Sequence, residues 1–465
     1  MPDKYDVIII GAGPGGYAAA IRLSQLGKHA CVIDIDETRL GGVCLNEGCV
    51  PVKSLINSAA VFSMIRKAGI YGLEAEAKIP DMKKVTAVSQ NSSITLRNGL
   101  KSLFKKNNIE FLAGKAKLLS SGTIEIESQG DRKEIEADNI IIAAGSAPKS
   151  IPNVVPDGKS VITSNEAIKL ETLPGTMLVI GGGAIGVEFA SMFSSLGTKV
   201  TIVEMLPHIL PFKDEEISRT LEKIFKKRGI EVFTGTKIKA LNKKNKTVEA
   251  VMDTAAGEKK AESEIVLVAA GRKPNTEGLG LEKAGIKIKD GFIAADDRMR
   301  TSVKNIYAAG DVLNTPMYAH VAYREGIIAA EEIAGVKGET IDYNNIPHVI
   351  FSEPQVAGAG LTELEAKEKG YDAVITKHFF KAKSKAVIDH SDEGFIKIIA
   401  DRKSRKLLGV YIIGEGAVEI IHEFILAKSA GLTADDIAKA VHAHPTLSEI
   451  VSDAAKAVFG KPIHG

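Results

Sequence analysis

Two segments of this chain place a glycine-rich turn between an apolar strand and a helix, and that double occurrence restricts the fold more than any other feature. In the first, Asp6–Ile10 reads as a strand entering Gly11-Ala12-Gly13-Pro14-Gly15-Gly16. A helix to about Leu26 and a second strand, 30–33, follow, ending on Asp34. In the second, residues 177–180 enter Gly181-Gly182-Gly183-Ala184-Ile185-Gly186, followed by a helix to about Leu196 and a strand, 199–203, ending on Glu204. Each is GxGxxG inside a strand-turn-helix-strand unit with an acid at the end of the next strand. A lone GxGxxG also arises in ordinary loops, but two in register indicate one nucleotide fold used twice. The glycines Gly11, Gly13, Gly16, Gly181, Gly183 and Gly186 would let a pyrophosphate reach unpaired N–H groups at a helix N-terminus, where the helix dipole attracts anions. Asp34 and Glu204 would accept hydrogen bonds from a ribose 2′-hydroxyl and repel a 2′-phosphate, which favours NAD over NADP at the second site.

Each unit closes with an apolar strand and a small-residue turn, Ile-Ile-Ile-Ala-Ala-Gly145 and Ile-Val-Leu-Val-Ala-Ala-Gly271. A third such strand, Asn305-Ile-Tyr-Ala-Ala-Gly310-Asp311, would return the chain to the first domain. From about Tyr343 the pattern changes to short alternating strands, then to helices at 417–429 and 434–441. The expected fold is α/β, with two Rossmann-like dinucleotide-binding domains and a C-terminal α+β domain. The boundaries read as 1–148, 149–275, a central segment 276–345 that rejoins the first domain, and 346–465. A length of 465 residues is consistent with about three domains.

Net charge is +2 with acids and bases interleaved, so nothing points to a nucleic-acid or anionic-membrane partner. The N-terminus reads as a strand with no cleavage signal, and no apolar stretch approaches a membrane span. Three cysteines in the whole chain are consistent with a reducing compartment, with the cytoplasm as the default. The histidines and cysteines have no conventional metal-ligand spacing, so no metal is expected. Cys31 reads as a buried strand residue.

The other two, Cys44 and Cys49, lie in Gly-Gly-Val-Cys44-Leu-Asn-Glu-Gly-Cys49-Val-Pro. On a regular helix that spacing would put their Cα atoms about 8.6 Å apart, beyond the roughly 4.4–6.8 Å a disulfide needs. Pairing therefore requires a distorted turn, and Gly48 tolerates one. A loop this short would stabilise a fold by only about 2 kcal/mol. A dithiol that opens and closes is the better reading. Two dinucleotide sites beside a dithiol imply a carrier that converts a hydride into thiol electrons, which is flavin chemistry. The dithiol begins shortly after Asp34, so FAD belongs to the first site and NAD to the second. Near the C-terminus, His442-Ala-His444-Pro-Thr-Leu-Ser-Glu449 offers an acid–base dyad, because thiol–disulfide exchange needs a base to make the thiolate. His444 is the base in this reading and His442 a bystander.

Taken together, these motifs resemble the class I flavoprotein pyridine nucleotide-disulfide oxidoreductases over essentially the whole chain, and among them those that oxidise dihydrolipoamide. The resemblance rests on Gly-Ala-Gly-Pro-Gly-Gly, the dicysteine segment, Gly-Gly-Gly-Ala-Ile-Gly-Val-Glu-Phe, Ala-Ala-Gly-Arg-Lys-Pro-Asn, Ala-Ala-Gly-Asp and His-Ala-His-Pro-Thr-Leu-Ser-Glu. It implies that Cys44 meets the substrate and that Cys49 lies against the flavin. It also implies that Glu449 orients His444 and that His444 reaches the cysteines of the other subunit of a homodimer. Lys53 and Glu188 correspond to an ion pair beside the flavin ring. Asp311 corresponds to the carboxylate on the ribityl chain, and Gly41, Gly42, Gly114, Gly145, Ser146, Met317, Ala319 and His320 to further FAD contacts. Ile238 and Gly271 join Gly181, Gly183, Gly186 and Glu204 at the NAD site. The implied partners are lipoyl-bearing subunits of 2-oxo acid dehydrogenase or glycine cleavage complexes.

Three positions depart from the family pattern. Asp34 stands where Glu is commoner, Val52 replaces a small or polar residue, and Glu47 puts a charge between the cysteines, which would disfavour a thiolate. The rival activities are reduction of another disulfide such as glutathione, which usually draws on NADPH, and reduction of mercuric ion, whose enzymes add a C-terminal cysteine pair. A flavoprotein that docks without turnover is the non-enzymatic rival.

Overall fold

The computed structural model describes residues 4–211, 214–338 and 340–464. β1 (Lys4–Ile10), α1 (Pro14–Gln25) and β2 (Ala30–Asp34) form the first turn unit. β1 sits inside a seven-stranded sheet, parallel to β2 on one side and to Asp131–Ile142 on the other. Strand Ile306–Ala308 pairs parallel with Asp131–Ile142, so the chain re-enters this sheet after leaving it. β1 is apolar and buried nearly throughout, as a parallel strand covered on both faces requires. Cys31 lies fully buried within β2.

The second unit has strands Thr176–Ile180 and Lys199–Val203 around helix Ala184–Leu196, in a five-stranded parallel sheet with Glu231–Phe233, Ile265–Val268 and Val161–Ile162. A three-stranded antiparallel sheet, Lys237–Lys243, Val248–Thr254 and Gly257–Ser263, packs against it.

The C-terminal part is a five-stranded antiparallel sheet flanked by helices Ala417–Ser429, Ala434–Lys439 and Glu449–Phe459. Its central strands alternate except at a bulge between Ile399 and Ala400, which puts both Leu407 and Val410 on one face. Ile396, Ile398, Ala400, Val410 and Ile412 face those helices, while Phe395, Ile399, Tyr411 and Ile413 join a core shared with helix Ala184–Leu196. Lys397 falls on the second face, buried, and is held by Asp214 at 3.0 Å and Glu363 at 3.2 Å. A buried ammonium is tolerated only when paired in this way. The helix expected over 434–441 ends at Lys439, because Ala440 turns to extended backbone and exposes Val441.

Between β2 and the next strand of the first sheet lie α2 (Gly42–Asn46), α3 (Cys49–Arg66) and α4 (Met82–Lys106). Residues 42–66 are, among those described, long and apolar enough by length and composition to cross a membrane, contrary to the sequence reading. The stretch breaks at Glu47-Gly48, and Val52, Leu55 and Ala59 enter the core of the second domain. Those three residues pack against the second domain, while most of the run stays outside the core. Val52, one of the three departures, is an apolar contact in that core.

Candidate active site

The two glycine turns share their local geometry. Gly11 and Gly181 have φ of 106° and 109°, a left-handed conformation that a side chain would strain. A Cβ on Gly16 would lie 1.8 Å from the Gly11 carbonyl oxygen, and one on Gly186 would lie 1.9 Å from that of Gly181. Gly13 and Gly183 cap their helices with extended backbone, leaving the first N–H groups without a side-chain acceptor. Asp34 accepts the Ala12 N–H at 2.8 Å and the Ile35 N–H at 2.7 Å. Glu204 does the same for Gly182 at 2.6 Å and Leu206 at 2.7 Å. Burial pushes the Asp34 carboxyl upward, opposed by these backbone donors. The shorter Asp34 therefore reaches its turn as Glu204 does. Gly16→Val should sharply lower the flavin bound per chain, read from visible absorbance of the purified protein, because the α1 N-terminus can no longer close on Gly11.

Cys44 lies in α2 and Cys49 opens α3, so the two sit on separate helical segments rather than one. Gly48, at φ −137° and ψ −117°, makes the break. Both are free thiols, Cys44 half-buried and Cys49 exposed. They share a side-chain hydrogen bond, which holds the Cys49 thiol below its usual range, with Lys53 assisting and burial opposing. The same bond and burial push Cys44 up. Of the two thiols, Cys49 is therefore the one placed to give up its proton first.

One turn into α3, Lys53 donates to both oxygens of Glu188, at 3.0 and 2.8 Å, and its ammonium lies 4.8 Å from the centre of the Phe351 ring. Glu188, on helix Ala184–Leu196, also accepts the Phe351 N–H at 2.9 Å. This pair joins the segment after the cysteines to the second turn unit across 135 residues. Glu47, read as an obstacle to a thiolate, has its carboxylate 3.0 Å from Arg39 and so does not face the cysteines as a bare charge.

Asp311 accepts from the Ser146 hydroxyl, and Ser146 in turn receives the Arg272 guanidinium at 2.7 Å on Oγ and 2.6 Å on its carbonyl. Gly145 and Gly271, both at positive φ, precede Ser146 and Arg272 in two short strands that pair antiparallel. Arg272 was not singled out in the sequence, although it lies in Ala-Ala-Gly-Arg-Lys-Pro-Asn. Its charge reaches Asp311, Cys49 and Glu47. Gly114 donates to the Asp34 carbonyl at 2.8 Å, which places it beside the first acid. Gly41 and Gly42, both at positive φ, carry the chain into α2, and Gly41 donates to the Ala12 carbonyl at 2.9 Å. Met317, Ala319 and His320 gather at the start of helix Ala319–Ile333, which packs on α1. His320 bonds the Pro347 carbonyl at 2.9 Å, and its burial lowers its affinity for a proton. Ile238 is the second residue of its strand, two after Thr236, whose N–H meets the Glu204 carbonyl at 2.9 Å. Tyr17 and Tyr323, their hydroxyls 2.8 Å apart, line an apolar groove with Ile21 and Ile327 within electrostatic reach of Cys44. Neither tyrosine carried a sequence signal.

His444 Nδ1 lies 3.0 and 3.2 Å from the two oxygens of Glu449, which also accepts the Thr446 N–H at 3.0 Å. Those bonds, Thr446 first, hold the Glu449 carboxyl below the usual carboxylate range. With Nδ1 engaged, Nε2 is the nitrogen left to exchange a proton. The His444 side chain is 67% exposed, so the dyad opens outward. Among the described hydrogen bonds and ion pairs, none joins it to Cys44 or Cys49 of the same chain. His442 instead faces Glu423 at 3.2 Å.

The donor set fits two dinucleotides. Each turn offers a cradle that a Cβ would fill, and each acid stands at the strand end beside it. No group of three or more His, Cys, Asp or Glu among the described residues could hold a metal ion.

Residues 5–326 match the family described as pyridine nucleotide-disulphide oxidoreductase, and residues 346–455 match its dimerisation domain. The dihydrolipoyl dehydrogenase of Zymomonas mobilis is 39% identical over the full length of both chains. That of Thermus scotoductus is 41% identical over 99% of this chain and 98% of its own. LpdA from Mycobacterium tuberculosis superimposes with a TM-score of 0.91 at 26% identity, covering 99% of this chain and all of the other. The HOCl-induced flavoprotein disulfide reductase RclA from Escherichia coli, solved as a Cu(II) complex, gives 0.88 at 26% identity over 98% and 100%.

Proposed function

Because this chain belongs to the pyridine nucleotide-disulphide oxidoreductases, we propose that it oxidises dihydrolipoamide to lipoamide and delivers the electrons through FAD to NAD⁺. It is a dihydrolipoyl dehydrogenase-type enzyme, and its dimerisation domain makes it a homodimer. The observation that carries the reading is the Cys44–Cys49 pair at a helix break, tied to the second turn unit by Lys53–Glu188.

The reaction begins with the pair as a disulfide. His444 of the partner subunit takes the proton of one substrate thiol, with Glu449 fixing the ring and offsetting its charge. The substrate thiolate attacks Cys44, and Cys49 leaves as a thiolate that the Lys53 ammonium stabilises. The second substrate thiol then displaces Cys44, which closes lipoamide and leaves Cys44 and Cys49 reduced. Two substrate thiols have become a disulfide and the protein disulfide has become the Cys44 thiol and the Cys49 thiolate, the other substrate proton resting on His444. Bound FAD supplies the conversion between that electron pair and the hydride that NAD⁺ accepts. The Tyr17–Tyr323 groove, within electrostatic reach of Cys44, suits the aliphatic arm of the substrate.

The division of labour follows the fold. Residues 1–148 and 276–345 hold FAD, 149–275 hold NAD, and 346–465 form the subunit interface. The FAD residues are Gly11, Gly13, Gly16, Asp34, Gly41, Gly42, Lys53, Gly114, Gly145, Ser146, Glu188, Asp311, Met317, Ala319 and His320. Gly181, Gly183, Gly186, Glu204, Ile238 and Gly271 hold NAD. The substrate is carried on lipoyl-bearing subunits of a 2-oxo acid dehydrogenase or glycine cleavage complex, in the cytoplasm. The test is NAD⁺ reduction by dihydrolipoamide with the purified FAD-loaded dimer. No turnover despite bound FAD would sink the reading.

Glu204 opposes a 2′-phosphate, which separates this enzyme from NADPH-linked disulfide reductases. NADP⁺ should give a much lower kcat/KM than NAD⁺, by about 10²-fold or more for a buried carboxylate facing a dianion. Equal use of the two would return the glutathione-type alternative.

A further inference from the structure

Glu47 is the residue that sets this dicysteine segment apart, and its neighbours explain how a carboxylate is accommodated there. It terminates α2, three residues after Cys44 and two before Cys49, and is largely buried, its side chain 16% exposed. Its partner, Arg39, ends the short 3₁₀ turn Glu37–Arg39 that follows β2, so the ion pair spans the loop leading into α2. A second arginine works in parallel. Arg97, from α4, donates to the Asn46 side chain at 2.9 Å and to the Thr38 carbonyl at 3.0 Å. Asn46 returns bonds to the Leu40 and Gly42 carbonyls. The two residues before Gly48 are therefore each held by an arginine from a different element, and only the Arg39 contact neutralises a charge.

We propose that Arg39 is a positioning residue for the redox pair: its guanidinium holds the Glu47 carboxylate as a neutral pair and so keeps a negative charge from acting on the Cys44–Cys49 dithiol. The inference rests on the reading of those cysteines as the redox centre. The other groups facing the pair are Lys53 with Glu188, Arg272 with Asp311, and the hydroxyls of Tyr17 and Tyr323. Lys53 and Glu188 offset each other, as do Arg272 and Asp311, and the tyrosines are neutral at working pH. Glu47, once unpaired, would be the one uncompensated anion. A like charge at this range disfavours ionisation of a thiol.

The readout is the pH midpoint at which the Cys49 thiolate forms in the two-electron-reduced holoenzyme. It is followed by long-wavelength charge-transfer absorbance and, independently, by the pH dependence of iodoacetamide alkylation at both cysteines. Arg39→Met should raise the midpoint by about one pH unit, whereas Arg39→Lys, which keeps the charge, should hold it at the wild-type value. Glu47→Gln should lower it by leaving Arg39 unopposed, and the double variant Arg39→Met with Glu47→Gln should return near wild type. A loss of loop order alone would displace the double variant as far as the single, and that result would overturn the proposal. So would an unmoved midpoint in Arg39→Met with FAD bound. If Arg39→Met does not fold, an unmoved midpoint in Glu47→Gln overturns it equally. A wild-type enzyme that shows no charge-transfer band on reduction would instead remove the underlying reading of the cysteines.

Discussion

Cys44→Ser should lower NAD⁺-dependent oxidation of dihydrolipoamide by on the order of 10⁴-fold or more while FAD remains bound, because no second sulfur is placed to accept the substrate's attack. Cys44 is half-buried with its thiol pushed up, whereas the Cys49 thiol is held below its usual range, so the two sulfurs are not interchangeable. Cys49→Ser should also stop turnover, but by a different route. It leaves Cys44 able to form a mixed disulfide with an activated reagent and removes the long-wavelength band of the reduced enzyme. Steady-state kinetics, flavin content and the spectrum of the reduced protein together separate the cases. Residual turnover within tenfold of wild type in Cys44→Ser would break the relay.

The second large effect is expected at His444. His444→Gln should cost about 10²–10⁴-fold in kcat with little change in flavin content, the usual range for removing a positioned base. Glu449→Gln should cost less, since it weakens orientation and charge compensation without deleting the base. Because Thr446 and His444 hold the Glu449 carboxyl below the usual range, it stays ionised across the working pH range. The acidic limb of the rate profile therefore belongs to groups other than Glu449. An exposed dyad with no tie to its own chain's cysteines also predicts that activity follows the dimer. Mixed dimers pairing a Cys44→Ser chain with a His444→Gln chain should regain one working site of the two, measured as partial recovery on co-expression.

Much of this arrangement could be read before any coordinates, and the parts that could not share a cause. The glycine turns, their acids and the dicysteine segment are local patterns within about 25 residues, so sequence spacing carries them. His444 and Glu449 are five apart and equally local. Lys53–Glu188 spans 135 residues and Arg272–Ser146 spans 126. The first was visible only through a family resemblance, and the second lies inside Ala-Ala-Gly-Arg-Lys-Pro-Asn, where nothing local marks the arginine's partner. Tyr17 and Tyr323 meet across 306 residues, and aromatic residues on helices usually signal core. Arg39 is close to Glu47 in sequence, yet its direction depends on the turn after β2. The apolar run over 42–66 was passed over because Glu47 and Gly48 interrupt it in the sequence, although its length and composition are those of a membrane-crossing helix.

The paired bonds of Asp34 and Glu204 to their own glycine turns have a consequence for redesign. Each carboxylate is spoken for twice, once by the backbone it braces and once by the ribose it would select. An attempt to recruit a phosphorylated nucleotide by neutralising Glu204 would therefore also slacken the loop that must receive the pyrophosphate. Preference and rigidity are coupled in one side chain, and a successful exchange of coenzyme would need a replacement donor-acceptor link to Gly182 as well as a new cation. The same coupling at Asp34 serves as an internal control within one polypeptide, where loosening one turn leaves its duplicate intact for comparison.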